Sequence, residues 1–149
     1  MQIVILMGVQ ASGKSMFCKQ HLYASHIRIN LDMLKTRHRE KRLLQTCLEI
    51  GQSLVIDNTN PTREDRRRYI EPAKEAGFHV EGYYFESKIE ICKQRNECRP
   101  ESQRVPLPGV LGTYGRLELP GYDEGFDRLY FVKINENGEF IVEEWDNEI

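Results

Sequence analysis

Met1-Gln-Ile-Val-Ile-Leu-Met-Gly-Val-Gln-Ala-Ser-Gly-Lys-Ser15 is the stretch whose reading decides the fold. Ile3 to Met7 is short, apolar and rich in β-branched residues, and a glycine follows at once, so it reads as a buried parallel strand. Gly8, Gly13, Lys14 and Ser15 fill the pattern G-x-x-x-x-G-K-[ST] between that strand and a helical segment, the context that a phosphate-binding P-loop requires. The glycines let the backbone wrap an anion, and successive N–H groups and the helix N-terminus point at it. Gly8, Ala11, Ser12, Gly13, Lys14, Ser15 and Met16 are therefore expected to contact a bound nucleotide, ATP. Lys14 is expected to reach the β- and γ-phosphates, and the Ser15 hydroxyl to bind Mg²⁺.

At 149 residues, the chain has room for one domain (1–149) and not for two ordinary ones. Its composition, 40% hydrophobic and 30% charged, is that of a globular protein. The longest apolar run, Ile3 to Met7, is too short to span a bilayer, and no charged and apolar leader precedes it. A cytoplasmic protein without membrane partners is expected. Cys18, Cys47, Cys92 and Cys98 are scattered, and neither they nor the four histidines have metal-ligand spacing. The net charge of −2 hides an asymmetry. Residues 1–117 carry 19 Lys and Arg against 13 Asp and Glu, whereas 118–149 carry 2 against 10. A basic body can attract a polyanion although the whole chain is slightly acidic.

Beyond the P-loop, a helix is predicted from Lys14 to about Tyr23 and a short strand over Ile27–Asn30. A helical region then opens at Leu31 and ends at Gly51. Ser53 to Asp57 reads as a second buried strand ending in an acid. Asn60 is the expected N-cap, with Pro61 at the first position of a basic helix bent or interrupted near Pro72. His79 to Phe85 is a strand and Lys88 to about Cys98 a helix. Arg99 to Gly112, with three prolines, reads as a mobile loop, giving a lid over roughly 95–112. Leu129–Ile134 and Glu139–Trp145 form a terminal hairpin. Alternating strands and helices imply an α/β fold, a P-loop nucleotide-kinase-like parallel sheet flanked by helices. Ligands of such sheets lie beyond the carboxyl ends of the strands. The P-loop, Asn30-Leu-Asp32 and Asp57-Asn-Thr-Asn60 should therefore converge on one crevice.

These stretches, in this order, resemble the kinase domain of the 5′-polynucleotide kinases. The matching residues are Gly8–Ser15, Asn30-Leu-Asp32, Val55-Ile-Asp-Asn-Thr-Asn-Pro61, Arg67-Arg-Tyr-Ile70 and Gln94-Arg-Asn96 leading into Arg99. Tyr114, Glu118, Pro120 and Glu124-Gly-Phe126 are similar to the family's closing segment. The resemblance implies transfer of the ATP γ-phosphate to a 5′-hydroxyl of DNA or RNA, with Asp32 as general base. From the pattern alone, Asp32 reads equally well as the cap of the helix that starts at Met33. Arg99 would be the lid arginine, with Arg95 and Arg104 assisting, and a solvated basic loop is the other reading.

Asp57 has the position of a Walker-B acid that holds Mg²⁺ or orients the acceptor, and it is also a common turn former. Asn58, Thr59 and Asn60 offer hydrogen bonds to the acceptor, and Lys35, Arg37 and Arg67 would meet its phosphates. Tyr114 and Tyr122, set among glycines, are candidates for stacking on a base. The family's usual arginine between Asn and Asp is Leu31 here, which leaves a small acceptor such as a nucleoside open. A non-catalytic ATP switch docking through the acidic tail is a further class.

Overall fold

A computed structural model describes residues 1–146 of the chain. The elements run β1 (Gln2–Met7), α1 (Lys14–His21), β2 (Ile27–Ile29), α2 (Leu31–Leu34), α3 (Arg37–Ile50), β3 (Leu54–Ile56), α4 (Arg63–Glu75), β4 (His79–Phe85), α5 (Ile89–Glu97), α6 (Leu107–Arg116), β5 (Arg128–Ile134) and β6 (Phe140–Glu144). One six-stranded sheet has the order β2-β3-β1-β4-β5-β6. The first five strands pair in parallel, and β6 closes the edge antiparallel to β5. The expected mainly parallel sheet with a C-terminal hairpin is what forms.

β1 is central and excluded from water on both faces, which is why its sequence is uniformly apolar rather than alternating. Ile3, Ile5 and Met7 face a core built with Leu44 and Cys47 of α3 and Tyr69, Ile70 and Ala73 of α4. Val4 and Leu6 face Phe17, Cys18 and Leu22 at α1, with Phe85 and Val132. Helices thus pack on both sides, and the strand ends carrying the three motif loops emerge at one edge.

Local chemistry sets the helix boundaries, and two differ from expectation. Thr62, not Asn60, is the N-cap of α4: its hydroxyl accepts from Asp65 N at 3.1 Å, and Asp65 Oδ2 in turn accepts from Thr62 N at 3.4 Å. Helix α4 also runs uninterrupted through Pro72, because Tyr69, Ile70 and Ala73 on either side of it anchor one face in the core. A third difference is larger. The Pro-rich segment expected as a loop to Gly112 contains α6, which starts after Pro106, carries Pro108 in its first turn and buries Val110 and Thr113.

The base of the sheet is tied by Asp127. Its carboxylate accepts from Lys74 Nζ and from Val80 N, both at 2.8 Å, joining α4, β4 and the start of β5. The Lys74 bond and the Val80 amide hold this carboxyl below its ordinary value of 3.8. A depressed carboxyl stabilises the fold above its unfolded-state value and loses that contribution as pH falls through the native one. Asp127→Asn keeps only one of the two bonds. It should therefore lower stability by about 0.5–1 kcal/mol at pH 7, kept small by solvent screening. In urea titrations the deficit should shrink as pH drops from 5 towards 3, and a deficit constant with pH would contradict this account.

Candidate functional site

At the carboxyl ends of β1 and β3 lies a cleft of about 380 Å³. The P-loop forms its floor. Gly8 has φ +151, and a Cβ there would fall 2.8 Å from Ser12 Oγ, so the tight wrap excludes any side chain at this position. Gly13, at φ +107, forms the N-cap of α1 and turns the chain into that helix. Ala11, at φ +64, carries the loop through a left-handed conformation that a non-glycine residue rarely adopts.

Lys14 is buried at the cleft floor and folds back onto its own loop, donating to Gly8 O and Val9 O at 2.9 Å. Burial pushes its ammonium down to about 8, against the opposing pull of Asp57. It is therefore still mostly protonated at neutral pH. Ser15 Oγ donates to Asp57 Oδ2 at 2.9 Å, and Arg28 Nε donates to the same oxygen at 2.8 Å. Asp57, at the end of β3, is almost fully buried yet lines the cleft. A hydroxyl and a carboxylate oxygen thus converge beside the P-loop. That hard-oxygen pair suits Mg²⁺, which takes one or two protein ligands and completes its shell with phosphate and water.

Asp32, in α2, lines the same cleft. The capping reading is settled by Asn30, whose Oδ1 accepts from Met33 N at 2.9 Å and whose Nδ2 donates to Asp57 O at 2.6 Å. Asp32 itself is exposed and makes no hydrogen bond or ion pair among the described residues. Its carboxylate is therefore available to a ligand. Leu31 lines the wall beside it, and its N–H is taken by Asn58 Oδ1 at 2.8 Å.

Asn58 and Asn60 both line the cleft, but their amides are committed. Asn58 Nδ2 donates to Glu40 Oε2 at 3.1 Å and to Tyr69 OH at 3.2 Å. Asn60 Nδ2 donates to Leu6 O at 2.7 Å, at the end of β1. Arg37 lines the cleft while its Nη1 holds Glu40 Oε1 at 2.8 Å and Tyr69 OH at 3.1 Å. Arg99 also lines the cleft and has no carboxylate partner among the described residues.

Several sequence-based candidates lie elsewhere. Lys35 and Met16 are exposed and off the cleft wall, Arg67 points to solvent near Glu71, and Arg95 borders a separate, smaller hollow with Ser12 and Cys92. A step of one residue, about 100° round the helix, explains the arginine error. Arg66, not Arg67, points inward: fully buried, it pairs with Glu124 at 2.8 Å and donates to the carbonyls of Asn60 and Glu118 at 3.2 and 3.1 Å. Missed altogether were Arg28, Gln10, Gln103 and Arg116, the last three on the cleft wall. The buried thiols take no part. Burial pushes Cys18 up to about 11 and raises Cys47 and Cys92 as well.

The segment expected as a lid is only partly free. Asn96 clamps Val105 with both ends of its amide, donating to the carbonyl at 2.6 Å and accepting from the N–H at 3.0 Å. Gln10 Nε2 donates to Thr113 Oγ1 at 2.9 Å, and Glu118 N donates to Pro61 O at 2.7 Å, so α6 is pinned to the P-loop and to the β3 turn. The exposed 97–104 loop, carrying Arg99, Gln103 and Arg104, projects from these clamps.

A family profile described as an AAA domain matches residues 35–112, just over half of the chain. The chain belongs to this AAA domain family. The match begins after the P-loop, so the phosphate-binding loop stands on its own motif and geometry. Bifunctional polynucleotide phosphatase/kinase of Schizosaccharomyces pombe is 30% identical over 132 residues, 86% of this chain and 32% of that protein. A protein of Acanthamoeba polyphaga mimivirus whose description names the same two activities is 31% identical over 138 residues, 88% of this chain and 33% of that one. The chain thus spans about a third of the length of these curated relatives. Kti12 of Chaetomium thermophilum, solved with ADP-AlF3, shares the fold at a TM-score of 0.69 and 15% identity, covering 91% of this chain and 92% of that one. The names of the two relatives agree with the kinase resemblance in the sequence, and the structural neighbour shares the fold. Among the described residues of this AAA domain, no helix is long and apolar enough to cross a membrane.

The Arg66–Glu124 pair holds the Asn60-Pro61 turn against the closing segment. Removing one partner of a buried pair leaves the other charge uncompensated, at a penalty of about 3–5 kcal/mol. Glu124→Gln keeps the shape, and the carbonyls of Asn60 and Glu118 still receive Arg66, so the lower end is expected. Its melting temperature should fall by roughly 6–12 °C. A shift under 2 °C would mean the pair contributes little.

Proposed function

We propose that the chain is a single kinase domain that transfers the ATP γ-phosphoryl group to a hydroxyl at the 5′ end of a polynucleotide. The observation that carries this reading is the uncommitted Asp32 carboxylate, which shares one cleft with Lys14, Ser15 and Arg99. The named activity of the S. pombe relative supports the choice of acceptor.

In this reading the triphosphate lies along the P-loop. Lys14 leaves the carbonyls of Gly8 and Val9 to meet the β- and γ-phosphates, and polyanion charge favours its protonated form. Ser15 and Asp57 would hold Mg²⁺, which neutralises phosphate charge when bound. Asp32 accepts the proton of the acceptor hydroxyl as that oxygen bonds to the γ-phosphorus and the bond to the β-phosphate oxygen breaks, releasing ADP. Arg99 stabilises the charge on the transferred group. Arg116, rather than Lys35 and Arg67, meets the acceptor's phosphate, and Arg37 on the same wall stays with Glu40 and Tyr69. Asn58 and Asn60 shape the wall instead of binding the acceptor through their amides.

One observation favours a second reading, a kinase of a small hydroxyl acceptor. Leu31 presents an apolar side chain where the family has arginine, and the cleft volume falls within the range of small-molecule sites. The two separate on salt. Transfer to a polynucleotide should fall steeply with added salt, because binding releases counterions, and transfer to a neutral nucleoside should barely respond.

Asp32→Asn tests the chemistry. It should lower turnover about 10²–10⁴-fold while the ATP dissociation constant stays within about threefold. Labelled ATP offered with 5′-OH oligonucleotides and nucleosides side by side reads both points. Wild-type transfer that survives the substitution would remove Asp32 as the base, and transfer to nucleosides alone would replace the acceptor.

A further inference from the structure

Glu40 is a buried acid that the reaction above does not use. It sits in α3 with 2% of its surface exposed, and both carboxylate oxygens are engaged. Oε1 accepts from Arg37 Nη1 at 2.8 Å and Oε2 from Asn58 Nδ2 at 3.1 Å. Tyr69 OH accepts from the same two residues, at 3.1 and 3.2 Å. A carboxylate held out of water is expensive. Arg37 keeps 52% of its side chain exposed, so an ion pair alone gives little reason to bury the acid.

The other end of Asn58 supplies the reason. Its Oδ1 accepts from Leu31 N at 2.8 Å, at the first position of α2. That helix has four residues, none of them buried, and only Leu34 in its last positions packs against the core. Its first turn is therefore placed by hydrogen bonds, from Met33 N to Asn30 Oδ1 and from Leu31 N to Asn58 Oδ1. Asp32 lies between those two points. An amide has one accepting and one donating end, so it matters which end of Asn58 faces Leu31. Glu40 decides this, because a carboxylate only accepts: Nδ2 must turn to Glu40, which leaves Oδ1 for Leu31 N.

We propose that Glu40 is a positioning residue: by fixing the orientation of the Asn58 amide, it holds the first turn of α2 so that Asp32 meets the acceptor hydroxyl. This rests on Asp32 as the base in the reading above and adds what aims it.

Glu40→Gln tests the orientation without a change of size. Arg37 cannot accept, so the oxygen of the new amide turns to it and the new NH₂ turns to Asn58. Asn58 then either flips, setting its own NH₂ against Leu31 N, or gives up its partner, and both release the first turn of α2. Asn58→Asp alone sets two carboxylates together. Combined with Glu40→Gln it restores the pattern, one oxygen accepting from the new amide and the other from Leu31 N. Turnover is read with labilised phosphate from labelled ATP on whichever 5′-OH oligonucleotide or nucleoside the wild type accepts. ATP affinity, by titration calorimetry, also reports folding.

Glu40→Gln should lower kcat about 10–100-fold, the scale of a misplacement of about 1 Å, with the ATP dissociation constant within about threefold. The double variant should recover kcat to within about fivefold of wild type. In an Asp32→Asn background Glu40→Gln should have no further effect, because the two act through one group. Tyr69→Phe removes an acceptor and keeps the carboxylate, so kcat should stay within about threefold. Unchanged turnover in Glu40→Gln would overturn the inference and leave the base reading standing. So would a loss that repeats in full on Asp32→Asn, that Asn58→Asp fails to repair, or that Tyr69→Phe reproduces. Should Glu40→Gln alone lose ATP binding, the double variant decides: recovery of affinity and turnover supports the inference, and failure to recover overturns it. Wild-type turnover in Asp32→Asn would overturn the base reading and this inference together.

Discussion

Two short hydrogen bonds fasten the ends of neighbouring strands, and the site depends on them. Gly8 N donates to Thr59 O at 3.0 Å, and Asn60 Nδ2 donates to Leu6 O at 2.7 Å. Parallel pairing leaves the backbone groups beyond the last ladder bond without partners, and buried groups of that kind are costly. Asn60 answers this with a side chain, and it adopts φ +45 to do so. The strain has a return: the loop after β3 is held flush against the P-loop, so Asp57 reaches Ser15 across the junction. Of the three non-glycine residues with positive φ among the described residues, Ala11 and Asn60 line the cleft, and Lys35 ends the short helix that carries Asp32. Strain gathers where loops converge.

Charge is distributed on the same plan. Arginines that brace the scaffold have partners: Arg66 on Glu124 beneath the turn, Arg28 on Asp57, and Arg37 on Glu40 with Tyr69. Arg99 and Arg116, which line the cleft, have no carboxylate partner among the described residues, and Arg116 donates only to the carbonyl of Gly112. A cation satisfied by protein oxygens contributes little to an incoming anion, whereas an unpaired one contributes fully once water is displaced. Lys14 lies between these cases. The carbonyls of Gly8 and Val9 hold it in reserve, and burial makes its charge expensive until an anion arrives.

Local signals in the sequence were sufficient wherever one short stretch settles its own geometry. The P-loop needs its glycines for steric reasons inside a few residues, and the uniform apolar run of β1 reports burial on both faces. Asn30-Leu-Asp32 was legible as a cleft element, but which of its two polar residues caps the helix was not. Both side chains suit a cap, and Asn30 wins because its amide also satisfies Asp57 O. Arg66 and Arg67 are the same residue one step apart, so only the phase of α4 against the core distinguishes them. That phase follows from Tyr69, Ile70 and Ala73. Helix α6 was hidden by its prolines and glycines, which usually mark loops. Here Pro108 sits in the first turn, where its missing N–H does no harm, and Val110 and Thr113 supply packing that propensity cannot register.

The clamps on α6 change what opening the site requires. Were the whole segment from 95 to 112 a swinging lid, admitting a substrate would break the Val110 packing and the Gln10–Thr113 bond together. Instead, Asn96 isolates a loop of eight residues whose backbone bonds are mostly internal, such as Gln103 N to Pro100 O at 2.8 Å. Moving that loop exposes little apolar surface, so its free-energy penalty is small and it belongs to the low-stability end of the molecule. Arg99 can therefore approach or leave the cleft while α6, pinned through Gln10 to the P-loop, keeps its place. Admission and positioning are assigned to different pieces of chain, and the same two clamps that separate them keep the wall of the cleft intact.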